Sequence, residues 1–263
     1  GCRRLGRRSL APSGGQPRSV DLVCQLMPSA LAEPATGRPT QRRGDVTRRA
    51  LLDAALVEFA ASGFDAASTR AIAARAGVRQ GQLTYHFPSK DLLWQATVEH
   101  LFERFDDLLA AGATSMTEPD DPAGRFARSI RALVHAVARL PELHRIMVHE
   151  ATTPTERLEL IVDRHVRARF EMLADQWLAV RDAGDADLEA DPIVVYYSVV
   201  GAASLIYVNT PEAHLLLGRE DVVDDALIEA HADLLVSMLL GPAAARADTS
   251  GTTTPDRSPA GRN

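Results

Sequence analysis

Apolar residues recur three and four positions apart through most of the interval 45–240, the spacing that lines one face of a helix. No strand-like alternation and no internal repeat interrupts them. A first helix is predicted over about Asp45 to Ser62, with Leu51, Leu52, Ala55, Leu56 and Phe59 inward and Gly63 as its stop. A longer one starts near Lys90 and carries Leu92, Leu93, Ala96, Leu101, Phe105 and Leu108, followed by a loop from Gly112 to Pro122. Next comes a helix over Pro122 to about Leu140, with Phe126, Ile130, Leu133 and Val137 on its face, and a short one from Pro141 to Glu150. Thr153-Pro154 reads as a cap followed by a first-turn proline, opening a helix to about Ala183 that Gly184 ends. Asp191-Pro192 repeats that signal for a helix to about Asn209. Residues 212–218 form a short turn or helix, and Asp221 opens a last helix to Leu240, stopped by Gly241-Pro242. The pattern is all-α.

Between the first two long helices lies a denser pattern. In 68–90, Thr69 is a suitable N-cap, with Ser68 able to serve one residue earlier. Ile72, Ala73 and Ala76 share a face, Gly77 stands where positive φ is wanted, and Val78 plugs the turn. A second short helix then runs from about Gln80 to Phe87, anchored by Leu83 and Phe87. Small at 73, glycine at 77 and apolar at 78 and 83 together describe two short helices crossing closely. That is a helix-turn-helix whose second helix turns polar groups outward. Gln80 and Gln82 suit adenine, the Thr84 methyl suits thymine, and Tyr85 and His86 suit phosphate or sugar. Pro88-Ser89-Lys90 ends that helix and caps the next, placing Lys90 where an ammonium reaches a phosphate. Expected DNA contacts are therefore Arg48, Thr69, Arg79, Gln80, Gln82, Thr84, Tyr85, His86 and Lys90.

Charge changes the picture only when it is divided. The 263 residues carry a formal charge of −6, unpromising for a polyanion's partner. Residues 1–43 hold eight arginines against Asp21 and Glu33, hence +6; residues 44–90 hold five arginines and Lys90 against three aspartates and Glu58, hence +2. The other 173 residues hold 15 basic and 29 acidic groups, hence −14. Positive charge is concentrated beside the predicted reader, and the acidic remainder repels DNA from other faces.

Residues 1–43, rich in Arg, Pro, Gly and Ser, read as a disordered basic extension, and 241–263 as a disordered tail. Met27 is a candidate start, and Arg42-Arg43 reads either as a DNA-reaching arm or as solvated tail. Cys2 and Cys24 both fall in the extension, so no structural disulfide is expected and the cytoplasm is the expected compartment. No apolar run is long enough for a membrane span.

Ala50 to Phe59, Gly63-Phe64, Thr69, Ile72-Ala73, Ala76-Gly77-Val78, Leu83, Tyr85-His86-Phe87 and Ser89-Lys90-Asp91-Leu92-Leu93 together resemble the reader of the tetracycline-repressor-like (TetR) family of bacterial transcription regulators. The likeness is specific over about 45–95. It is looser from Met147 to about Gly218, where Glu150 and the tyrosine-containing helix leading to Gly201 match regulatory domains of that family. Family members usually carry Ser or Thr near 82 and an aromatic near 84; Gln82 and Thr84 depart from this, so no operator sequence transfers.

The resemblance implies an all-α homodimer. Residues 44–90 would be its reader and 91–240 its ligand-binding and dimerisation domain, with the last two long helices at the interface. The sequence itself fits a dimer, because almost every face of 193–208 is apolar. Burial within one subunit is the alternative. Tyr196, Val200, Gly201, Ser204, Leu227, Leu234 and Leu235 are the expected interface residues. Expected partners are a double-stranded DNA operator and a small-molecule effector of unknown identity, with no cofactor. Repression relieved by the effector is the leading reading, and activation or ligand-independent control the alternative. Phe105, Met147, His165, Trp177 and Tyr197 are candidate pocket residues, each equally readable as plain core.

A metal-dependent enzyme is the rival class. His144, His149, Glu150 and His165 lack the i, i+4 histidine pair of a zinc helix. No glycine-rich phosphate loop, Gly-x-Ser-x-Gly elbow or cysteine nucleophile occurs in the folded part. No catalytic residue and no metal ligand is expected.

Overall fold

The computed structural model describes residues 39–114, 121–186, 189–218 and 223–241. The extension before 39, the tail from 242 and residues 221 and 222 lie outside them, so the expectations placed on Cys2, Cys24, Met27 and an Asp221 cap do too. The chain divides into the units Gly1–Arg43 and Gly44–Asn263, and everything below concerns the second. Among the described residues there are helices and no strands, and no single helix is long and apolar enough to cross a membrane.

Helix α1 spans Pro39–Ala66 and is kinked at Gly63, where φ is +70°. It therefore begins earlier than expected and resumes for a few residues beyond its predicted stop. Leu51, Leu52, Ala55, Leu56 and Phe59 are buried along it, as their spacing implies. Helix α2 spans Thr69–Arg75 and α3 spans Gln80–His86. The cap of α2 is Ser68, whose Oγ accepts from the Ala71 amide at 3.3 Å; Thr69 is the first helical residue instead. The turn between α2 and α3 follows from Gly77 at φ +69°. The Val78 amide reaches back to the Ala73 carbonyl at 3.0 Å and the Gly77 amide to Ala74 at 3.1 Å. This pair of bonds closes a helix end only when the residue between them is left-handed.

Helix α4, Lys90–Thr114, starts at a Ser89 cap that accepts from the Leu92 amide at 3.1 Å. It runs three residues into the predicted loop, to Thr114. Its inward face is Leu93, Trp94, Thr97, Val98, Leu101, Phe102 and Phe105, while Leu92 is 49% exposed. The body is built around α5, Pro122–Arg139, which packs on α4 and on the later helices α8, α9 and α11 introduced next. Helix α6 spans Pro141–Glu150. The cap of α7, Glu156–Ile161, is Thr155, which accepts from the Leu158 amide at 3.1 Å, so Thr153 and Pro154 precede the helix. A π-turn, Val162–Val166, leads into α8, Arg167–Ala183, which closes at Gly184. Helix α9, Pro192–Val208, is capped by Asp191 as expected. Helix α10 spans Thr210–Leu217. Helix α11, Asp225–Leu240, is capped by Asp224, which accepts from the Leu227 amide at 2.8 Å.

Candidate nucleic-acid interface

Leu83 and Phe87 pin α3 to the protein from one side, and both are buried. Everything between and around them is therefore turned outward: Arg79, Gln80, Gln82, Thr84 and Tyr85 are exposed, Tyr85 by 83%. His86 is half-buried and stands edge-on to Tyr85, ring centres 5.3 Å apart. The helix ends at Phe87, whose extended backbone (φ −135°, ψ 95°) is what a following proline requires. Three residues later, at Lys90, α4 begins, so the outward helix and the long helix after it share one short joint.

Internal hydrogen bonds shape the polar groups of α3. Arg79 sits at the N-cap, and its guanidinium holds only donors, so it cannot accept from the first turn. Gln82, at the third helical position, returns to the cap residue itself: its Oε1 accepts from the Arg79 amide at 3.1 Å. Gln80 Nε2 reaches Thr69 Oγ1 at 3.3 Å, and the Thr84 hydroxyl donates to the Gln80 carbonyl at 3.2 Å. Arg48 lies over the Phe87 ring, 5.3 Å from its centre, and Thr69 holds Gln80. Lys90 is turned toward the protein. Its Nζ donates to the Asp65 carbonyl at 3.0 Å and lies 4.8 Å from the centre of the Phe64 ring. That ammonium ties α4 to the end of α1, a role its position at a helix start did not announce.

Reader and body meet through charged and aromatic groups, of which the sequence reading names Phe64, His149, Glu150 and His165 but neither Arg157 nor Trp94. Glu150 is buried and pairs with Arg157 Nε at 3.0 Å. The Arg157 guanidinium lies 4.1 Å from the Phe64 ring centre and 5.8 Å from that of Trp94. His149 packs against the α1 kink, where a Cβ on Gly63 would come within 3.2 Å of its Nδ1. Farther along α4, Glu99 accepts from Arg164 at 2.8 Å, and Arg169 joins Asp106 to the His165 carbonyl. His165 sits in the π-turn, 8% exposed and stacked on Phe102 at 4.2 Å. Burial holds its pKa below the ordinary histidine value, with nearby Arg169 and Arg164 acting the same way against Glu99 and Asp106. Trp94 and Phe102 were legible from i, i+4 spacing with Val98 and i, i+3 spacing with Phe105; Arg157 had no local signal, because its partners are distant in sequence.

A groove of about 450 Å³ opens at this junction, between Arg48, Leu52 and Phe87 on one side and Glu99, Glu103 and Arg164 on the other. None of the five expected pocket residues lines it. Phe105 and His165 are buried together beside Phe102, and Met147 is half-buried against the core. Trp177 is core: it is fully buried against Phe126, and its indole N–H is satisfied by the Ala190 carbonyl at 3.0 Å. Tyr197 is 68% exposed and so lines no pocket; it belongs to an outward strip of α9.

The expected interface residues also divide. Leu234 on α11 is exposed, in an apolar strip with Met238 and, on α9, Val194, Tyr197 and Leu205, none of which was expected at the interface. Tyr196, Val200, Gly201 and Leu227 are half-buried at the edges of that strip. Ser204 and Leu235 are buried within the subunit, Ser204 donating to the Val200 carbonyl at 2.7 Å, so neither can face a partner. Behind the strip the Tyr207 hydroxyl meets His231 Nδ1 at 2.9 Å; burial pushes the phenol up to about 12 and holds the imidazole below its usual value.

Set beside known proteins, residues 51–97 match the family model described as bacterial regulatory proteins, tetR family. The HTH-type transcriptional repressor KstR2 of Mycobacterium tuberculosis (strain CDC 1551 / Oshkosh) is 30% identical over 152 residues, 56% of this chain and 68% of the relative. KstR of Mycobacterium tuberculosis (strain ATCC 25618 / H37Rv) is 28% identical over 176 residues, 64% of this chain and 76% of the relative. Among solved structures, AibR in complex with isovaleryl coenzyme A and operator DNA superposes with a TM-score of 0.59 at 22% identity, covering 74% of this chain and 99% of AibR. A TetR-like transcriptional regulator from Rhodococcus sp. RHA1 superposes with a TM-score of 0.52 at 21% identity, covering 78% and 97%.

Proposed function

Since the chain belongs to the TetR family of DNA-binding bacterial transcription regulators, we propose that it acts as a homodimeric repressor, released from a two-fold symmetric operator when a small molecule occupies its body. The observation that carries this reading is the joint Phe87-Pro88-Ser89: the outward helix α3 passes through these three residues into α4, which packs along α5 in the body. Two readers on one duplex face must stand about 34–36 Å apart to enter successive major grooves. A tilt of α4 alters that separation. A ligand preferring the tilted body by about 3 kcal/mol weakens operator binding roughly a hundredfold.

On this reading Gln80, Gln82 and Thr84 face bases, while Arg48, Arg79, Tyr85 and His86 face the backbone. Thr69 and Lys90 serve chiefly by holding the reader in shape, given their bonds to Gln80 and Asp65. The outward strip of α9 and α11 supports the dimer, since an apolar band on neighbouring helices suits a second copy related by a two-fold axis. Phe105, Met147 and His165 mark the effector side of α4. The protein works in the cytoplasm without a catalytic role.

Fluorescence anisotropy on labelled duplexes from the DNA flanking its gene tests the reading. Specific binding near 10⁻⁸ M at physiological salt is expected, falling steeply with added salt. Isovaleryl coenzyme A, the ligand named for AibR, is the first effector probe. Equal affinity for flanking and scrambled duplexes defeats the proposal.

A further inference from the structure

Gln82 looks at first like an adenine reader, because a free carboxamide can donate to N7 and accept from N6 at once. The structure turns the oxygen to another use, engaging one of its two lone pairs within the protein. Gln82 Oε1 accepts from the Arg79 amide at 3.1 Å. The assignment of oxygen and nitrogen is not arbitrary here, since a backbone N–H can be accepted only by the oxygen. The bond is the half of a capping box in which the N3 side chain returns to the N-cap amide. The NH₂ group takes no part in that bond, and Gln82 is exposed. Beside it stands Gly81, around which nothing lies within 4 Å of the place a Cβ would take. The approach to the Gln82 amide is therefore open from its neighbour's side.

We infer that Gln82, its oxygen held back toward the Arg79 amide, meets its base pair through its NH₂ group, and so selects an edge made of acceptors. Guanine, with O6 and N7 side by side in the major groove, satisfies it best; thymine offers O4; cytosine, presenting its N4 donor, is excluded. Gln80 carries no such constraint. Its partner is a hydroxyl, which accepts or donates equally well, so its amide can turn either way. Gln82 is thus the specificity-determining residue whose preference is written by an internal bond, and this rests on α3 being the recognition helix.

The variant Gln82→Glu isolates the claim. A carboxylate still accepts from the Arg79 amide, and it stands in the first turn of a helix where negative charge is favourable. The fold and cap are kept while the outward group changes from donor to acceptor. The full chain and this variant are each used to enrich sequences from a random duplex pool. One symmetry-related pair of positions is expected to change from guanine to cytosine, by about ten- to a hundredfold in affinity, with the melting temperature unchanged or raised.

If Gln82 only caps the helix, every position keeps its base in the variant, and the inference is overturned. Adenine at the responding position in the unmodified chain overturns it too, because that base needs the oxygen turned to its N6 amino group. Should the carboxylate repel DNA so strongly that nothing is enriched, Gln82→Met decides. Loss of preference at one pair of positions supports the inference, and retention at all of them overturns it. A wild-type chain that enriches no sequence defeats the recognition-helix reading itself, and the inference with it.

Discussion

His165 is held neutral by its surroundings. Burial beside Phe102 keeps its pKa below the value it has in the unfolded chain. Between those two values the unfolded chain binds the extra proton and the folded one does not. Acidification from neutrality through about 6.5 therefore destabilises the fold, and raising the pH above that window adds nothing. The slope from one such group is at most about 1.4 kcal/mol per pH unit. His144 and His231 are shifted the same way, also by burial, and add to the acid limb. Thermal melts at pH 7.5 and 5.5 should show the loss, and His165→Gln should flatten it while lowering the plateau. An unchanged slope in that variant assigns the acid sensitivity elsewhere. The sequence marked His165 as an unusual polar group on an apolar stripe, but its stacking partner and opposing charges come from α4, sixty residues away, and no local pattern records them. Gly77 was legible for the opposite reason. A left-handed residue between two short helices has a purely local cause.

At the level of elements, the helix starts show what local reading loses. Thr153 and Thr155 both precede a plausible helix, as do Asp221 and Asp224, and capping chemistry is the same for each. In both cases the later residue is the one whose oxygen meets the first-turn amide. Proline in 154 is compatible with either choice, so the tie is broken by where the body places the helix. The α6–α7 corner makes a sharper point. Glu150 is buried, and Arg157 is its partner. Arg157→Met preserves much of the bulk over Phe64 but strands a carboxylate away from water. A loss of about 3 kcal/mol is expected in urea unfolding. Adding Glu150→Gln to the same chain should recover part of it, because the stranded charge is gone. If the double variant is no more stable than the single, the ion pair is not what the corner depends on.

The whole molecule is where apolar periodicity is least informative. Residues 193–208 are apolar on nearly every face, and the sequence alone cannot say which face the subunit keeps. The fold takes Val195, Val199, Ala203 and Tyr207 inward and leaves Val194, Tyr197 and Leu205 outside. That division corrected Tyr197 in one direction and Ser204 in the other. It also locates the test of assembly. Leu234 is 56% exposed in the subunit, so Leu234→Glu costs the isolated fold little. In sedimentation, the unmodified chain is expected at twice its 28.4 kDa mass and the variant as a single copy with operator affinity reduced at least tenfold. A variant that sediments like its parent removes α11 from the interface.

The π-turn at Val162–Val166 has a consequence for the lineage of this chain. Such a turn reads as one residue slipped into an otherwise regular helix. Excising a single residue there would wind the remainder back by about 100°. Trp177 would leave Phe126 and swing toward water, and the arginines now facing α4 would rotate off it. Relatives that keep the same packing must therefore keep the same residue count between Thr155 and Trp177. Length, more than side-chain identity, is what heredity has to preserve in that stretch.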